Sequence, residues 1–222
     1  MNNTTFAGNK KVGKNILTHL DKYLVQHFTH RIPSYIETYH LTMLTLVWSG
    51  LIIIFSYYAQ YNIHWLWICS MMILLQYLTD LFDGAVGRQR NTGLIKWGYY
   101  MDHYLDYVFL CSLLIGYGFI VPENFSYMFF FILAVFGAFM VNSYLSFAAT
   151  NQFRISYFGI GPTEIRFVFI IINTLIIVFG KTYLAQALPF ALTIAWVGLN
   201  IVVFKTQKEL WIMDMKHKEK QN

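Results

Sequence analysis

The sequence predicts an all-α, multi-pass membrane protein, with six transmembrane helices in one bundle and an N-terminal amphipathic helix on the membrane surface. Three observations predict it. Of 222 residues, 57% are hydrophobic and only 12% charged, about half the charged share of a soluble domain. The apolar residues come in blocks near 41–59, 64–82, 99–121, 125–149, 164–180 and 184–204, each close to the roughly 20 residues that cross a hydrocarbon core. Basic residues gather in alternate connections. Lys10, Lys11, Lys14, Lys22 and Arg31 precede the first block, and Arg88, Arg90 and Lys96 lie between the second and third. Arg154 and Arg166 flank the fourth-to-fifth connection, and Lys205, Lys208, Lys216, Lys218 and Lys220 follow the sixth; Lys181 is the exception. Positive residues accumulate on cytoplasmic loops, so an even number of spans with both termini inside satisfies the pattern. The net charge of +5 is then a topology signal and a headgroup contact, not a nucleic-acid footprint.

Residues 1–13 are polar and read as disordered; the first strongly apolar block begins only after residue 40, which argues against a cleaved secretory signal. Residues 14–32 read as the interfacial helix, because Ile16, Leu17, Leu20, Leu24 and Phe28 recur at helical spacing. His19, Asp21, Lys22 and Gln26 supply its polar face. Pro33 then breaks the chain. Residues 33–205 form one six-span domain. Its outer connections, around Tyr61, Pro122 and Lys181, are short, which makes consecutive helices antiparallel neighbours. Residues 206–222 read as a charged cytoplasmic tail. Cys69 and Cys111 fall inside spans and read as small buried hydrophobes. Tyr57, Tyr58, Trp65, Trp67, Tyr99 and Tyr100 gather near span ends as interface anchors.

The acids carry the chemistry. Asp80 and Asp83 are three residues apart, and Asp102 and Asp106 four, at the inner ends of the second and third spans. On a helix each pair shares a face. Carboxylates at membrane depth are costly and normally face a polar cavity. If the two helices are neighbours, four carboxylates converge, and their mutual repulsion calls for cations. Oxygen donors suit a hard divalent ion, Mg²⁺ or Mn²⁺, and no histidine or thiol cluster suggests zinc or copper. Between the pairs, Gly84 and Gly87 permit close approach, and Arg88 offers a fork for phosphate. Metals, glycines and arginine together describe a site for a pyrophosphate-bearing ligand.

The string Asp80-x2-Asp83-Gly84-x2-Gly87-Arg88-x9-Gly98-x3-Asp102-x3-Asp106 closely resembles the signature of the CDP-alcohol phosphatidyltransferase family, with Gly87 where the family usually has alanine. The stretch from Leu41 resembles the family's first-span Pro-Asn-x-x-Thr segment, with Leu41 in the Pro position, Thr42 in the Asn position and Thr45 matching; the resemblance makes Thr42 and Thr45 candidate substrate-binding residues. Gly161-Pro-Thr-Glu164 resembles a segment of choline and ethanolamine phosphotransferases and their bacterial relatives. The resemblance implies a homodimer of six-helix subunits in a bacterial inner membrane, with a cytoplasm-facing cavity. It implies two divalent ions around a CDP pyrophosphate, held by Asp80, Asp83, Asp102 and Asp106, with Asp106 also activating the acceptor hydroxyl. Asp80, Gly84, Gly87, Arg88 and Gly98 would lie at the nucleotide and its phosphates, with Gly98 packing closely near it. The implied reaction transfers a substituted phosphate from a CDP-alcohol to an acceptor hydroxyl with loss of CMP, one of the two substrates being a lipid. The donor is either CDP-diacylglycerol or CDP-choline or CDP-ethanolamine.

Other residues carry two readings each. Glu164 sits in the first turn of the fifth span and serves either the substrate site or the helix dipole. Arg154 and Arg166 bind a lipid phosphate or simply obey the positive-inside rule. His103 is turned about 100° from Asp102 on a helix and reads as a spectator. Two rival functions remain, a membrane transporter and an inactive structural family member. A transporter would spread its acids near the midplane and repeat its helices; here the acids cluster at one face and no repeat appears.

Overall fold

The computed structural model describes residues 11–12, 16–151, 153–154, 159 and 161–219. Their order is β1 (Lys11–Val12), α1 (Thr18–Phe28), α2 (Thr38–Tyr58), α3 (Leu66–Arg90), α4 (Ile95–Ile120), α5 (Glu123–Ser126), α6 (Met128–Thr150), β2 (Phe153–Arg154), α7 (Pro162–Phe179) and α8 (Thr182–Glu219). Among the described residues, six helical stretches are long and apolar enough to cross a membrane. The predicted all-α bundle and its N-terminal helix are what the molecule shows.

Several boundaries differ from the sequence reading. Lys11 and Val12, expected to be disordered, pair in parallel with Phe153 and Arg154; the rest of 1–13 lies outside the described residues. The tail expected from 206 continues α8 as helix to Glu219, because Lys, Glu and Met there are good helix formers. The second apolar block, read as ending near 82, belongs to a longer helix. α3 runs through Gly84 and Gly87 to Arg90, and stops where Asn91 (φ 52°) and Gly93 (φ 72°) turn the chain into α4.

Bundle order follows from small buried groups. α2 packs on both α3 and α4, α3 on α7, and α6 on α8 and α4. The buried stripe of α2 is Thr38, Leu41, Thr42, Thr45, Ser49, Ile52 and Ser56, small or slender residues that let membrane helices approach closely. Gly116 of α4 needs that closeness, since a β-carbon there would lie 2.9 Å from Ser56 Cβ. A neutral polar cluster ties three helices inside the bundle. The Tyr117 hydroxyl of α4 donates to Asn173 Oδ1 of α7 at 2.7 Å, and Asn173 Nδ2 donates to Ser70 Oγ of α3 at 3.0 Å.

At the end of the bundle that carries the aspartates, Arg90 gathers the α1–α2 connection. Its guanidinium donates to the carbonyls of Ile32, Pro33 and Ser34 and to that of Ile36. A basic residue expected as a topology signal is thus also a clamp on the loop that aims α1 at the bundle.

Candidate functional site

α3 carries Asp80 and Asp83, and α4 carries Asp102 and Asp106; Asp80 and Asp106 meet on one partner, while Asp83 bonds to α2. A third helix completes the arrangement. Arg166 rises from the first turns of α7 between the two, its side chain only 5% exposed. Its Nη1 lies 3.1 Å from Asp80 Oδ2, and its Nη2 donates to Asp106 Oδ1 at 2.8 Å. Asp102 acts electrostatically on the same guanidinium. Two carboxylates from different helices are therefore locked to one planar fork, the geometry for which arginine is suited. Of the two readings weighed for Arg166, the topology signal does not describe this buried side chain.

Asp102, His103 and Asp106 form a group whose ligand atoms lie within 4.8 Å of one another. His103, expected to be a spectator turned away from Asp102, lies close to it: it is buried, its Nδ1 is 3.6 Å from Asp102 Oδ2, and its ring packs edge-on against Tyr99. The 100° step between adjacent helix positions separates Cβ directions, but two flexible side chains close that gap. Two carboxylates with one imidazole, and Asp80 across the Arg166 fork, suit a hard divalent ion better than a thiophilic one. The residues present therefore fit the implied cations.

Asp83 faces α2. The Thr42 hydroxyl donates to Asp83 Oδ2 at 2.8 Å, so Thr42, a candidate substrate residue, orients a signature carboxylate. Thr45 is buried on the same stripe one turn on. A β-carbon on Gly84 would lie 3.2 Å from Arg88 Nη1, so the Arg88 guanidinium lies back over Gly84 at an exposed position. A β-carbon on Gly87 would meet Thr38 Oγ1 at 3.1 Å; this glycine faces α2. Gly98 has nothing within 4 Å of its would-be β-carbon, so the surface of α4 is open at this position. The side chain of Arg154 lies outside the described residues.

Glu164 is buried with both oxygens engaged by backbone. Oε2 accepts from Gly161 N at 2.9 Å in a capping box that starts α7, and Oε1 accepts from Leu17 N at 2.9 Å. It thus ties α1 to α7. Asp21, one turn into α1, accepts from the Tyr77 hydroxyl of α3 at 2.7 Å. Burial is the largest influence on its carboxyl and raises its pKa from the ordinary value. Neighbouring Glu164 and Asp80 push the same way, while the Tyr77 hydrogen bond and Arg166 oppose. The face of α1 carrying Asp21 is therefore part of the site's electrostatic surroundings, a role its polar-face position hinted at without naming a partner.

A cavity of about 380 Å³ adjoins this cluster between α4, α6, α7 and α8, with His103, Asp106 and Arg166 among its walls. Nothing in the sequence marked it, since its walls come from four separate segments.

Residues 38–204 match the family model described as CDP-alcohol phosphatidyltransferase. The chain belongs to that family. Membership covers α2 to the membrane part of α8, and so every residue of the aspartate cluster. CDP-alcohol phosphatidyltransferases transfer a phosphatidyl-type group from a CDP-alcohol and use divalent metals. The Asp102, His103 and Asp106 group is a place in this family member where one could bind. No curated protein matches the chain.

Proposed function

We propose that this chain moves a substituted phosphate from a CDP-alcohol to the hydroxyl of a second alcohol and releases CMP. The observation that carries the reading is the meeting of Asp80 from α3 and Asp106 from α4 on one buried guanidinium. Asp80, Asp83, Asp102 and Asp106 are read as ligands of two divalent ions, Mg²⁺ or Mn²⁺. When bound, such ions supply charge neutralisation for a diphosphate and its leaving group.

The chain's own residues do the rest. Thr42 holds Asp83 in a fixed rotamer. Arg88, exposed above Gly84, is placed to grip an anionic oxygen of the donor, and Gly98 leaves room beside it. Arg166 keeps Asp80 and Asp106 at hydrogen-bonding distance from a common centre, so the site is organised before ligand arrives. Asp106 takes the acceptor proton as the new phosphorus–oxygen bond forms. The basic residues at the same end support a cytoplasmic site in an integral membrane protein. A bacterial inner membrane and a homodimer are the setting the family resemblance suggests.

The test is CMP release by the purified full-length protein given CDP-alcohol, an alcohol acceptor and Mg²⁺ or Mn²⁺. Release that stops with a chelator supports the reading. Release that continues unchanged in the chelator contradicts the metal roles, and release that continues in Asp106→Asn contradicts the base.

A further inference from the structure

We infer that the cavity beside Asp106 holds the acyl part of a neutral lipid alcohol, which makes the lipid the acceptor and a water-soluble CDP-alcohol the donor. The inference rests on the proposed role of Asp106 and names the substrate class that meets it.

The cavity has a polar end and a hydrocarbon body. Asp106, His103, Tyr144 and Arg166 form the end. From there the walls pass Phe109 and Leu113 of α4 and Phe169 of α7. Leu113 is two turns beyond Asp106, so the body reaches about 10 Å along the helix at a rise of roughly 1.5 Å per residue. That direction leads away from the charged end and into the apolar part of the bundle.

Three points choose the occupant. Among the described lining residues, Asp106 is the one signature aspartate; Asp80, Asp83 and Asp102 are not among them. A molecule seated here therefore presents its head to the residue read as the base. That is the place for an attacking hydroxyl and not for the diphosphate of a donor. Next, apart from Ser143, whose hydroxyl donates to the Phe139 carbonyl, the body is lined by side chains that cannot hydrogen-bond. A polyol or phosphorylated acceptor would bury most of its polar groups there without partners, which disfavours it. An acyl chain, already in hydrocarbon within the membrane, enters the same space with no polar group to leave unpaired. Last, an acceptor phosphate would need a cation. The described cation in the lining is Arg166, whose two nitrogens already hold Asp80 and Asp106.

The step balances without any further reagent. The lipid hydroxyl oxygen bonds to the phosphorus that carries the small alcohol. The bond from that phosphorus to the bridging oxygen breaks, CMP leaves with that oxygen, and the hydroxyl proton passes to Asp106.

The experiment uses the full-length protein in proteoliposomes with Mg²⁺ and follows CMP. One pair of arms supplies CDP-ethanolamine or CDP-choline with dioleoylglycerol. The other supplies CDP-dioleoylglycerol with serine, glycerol 3-phosphate or inositol phosphate. Release at least about tenfold faster is expected in the first pair, a difference of roughly 1.4 kcal/mol in barrier. Release confined to CDP-dioleoylglycerol overturns the inference and leaves the transferase reading standing. No release in any arm overturns both. A second variant reads the cavity itself: Ala195→Phe, which adds bulk at the α8 wall. It should raise KM for dioleoylglycerol by about tenfold and leave KM for the CDP-alcohol unchanged, a selective loss of acceptor binding. The opposite split, with the donor KM raised, overturns the assignment.

Discussion

The bundle buries two polar clusters of opposite character. The Tyr117–Asn173–Ser70 cluster joins α4, α7 and α3 through neutral groups, each donor meeting an acceptor at 2.7–3.0 Å. The second joins the same three helices nearer one end through ions: Asp80 from α3, Asp106 from α4 and Arg166 from α7. Neutral dipoles that satisfy one another hold helices together and do little else. Acids gathered from two helices around one guanidinium form a place where a cation or a proton changes the energy of everything nearby. The same helix neighbours thus serve adhesion in one place and, in the proposed function, chemistry in the other.

The difference can be broken at four points. The largest effect is expected at Asp106→Asn. The amide still accepts from Arg166, so thermal stability should stay close to native, while transfer falls about 10²–10⁴-fold; CMP release beside a melting curve checks both halves. Next comes Arg166→Gln, which leaves two partly buried carboxylates without their guanidinium. Breaking a fully buried pair costs roughly 3–5 kcal/mol; Asp80 and Asp106 are partly solvated, so thermal unfolding in detergent should show a loss below that range, partly restored by Mn²⁺. In the neutral cluster, Asn173→Leu should lower stability by only about 1 kcal/mol and leave kcat unchanged, since no reacting group is touched. A large drop in kcat there would erase the contrast between the clusters.

The smallest effect concerns Asp21. Its folded pKa is raised, chiefly by burial, so the folded state holds the proton more tightly than the unfolded chain. The stabilisation of the α1 contact is fully present below the ordinary carboxylate pKa. It is lost as pH rises through the elevated folded value. Hydrogen exchange over residues 18–28 should therefore quicken with rising pH beyond the intrinsic chemical rate. Asp21→Asn should flatten that excess.

The contrast also explains what the sequence could reveal. Six spans are legible because a bilayer tolerates no other composition at that length. The four aspartates are legible because spacing on one helix fixes a shared face. What stays hidden depends on which helices are neighbours. Arg166 is 60 residues from Asp106 and Glu164 is 147 from Leu17; no periodicity links such pairs. The positive-inside rule gives Arg166 an adequate explanation on the surface and so conceals its buried one. Glu164 suits substrate and dipole equally until Leu17 and Gly161 are seen to occupy its oxygens. His103 escapes because helical phase ignores side-chain reach. The cavity has no sequence trace, since one apolar wall residue looks like any other membrane-facing one.

The central claim is that the acids of α3 and α4 form a binding site for divalent cations. Titration of the purified protein with Mn²⁺, followed by electron paramagnetic resonance, tests it without relying on turnover. Saturable binding is expected in the native protein, and its loss in Asp80→Asn/Asp102→Asn. Equal binding by both proteins, or none by either, would contradict it.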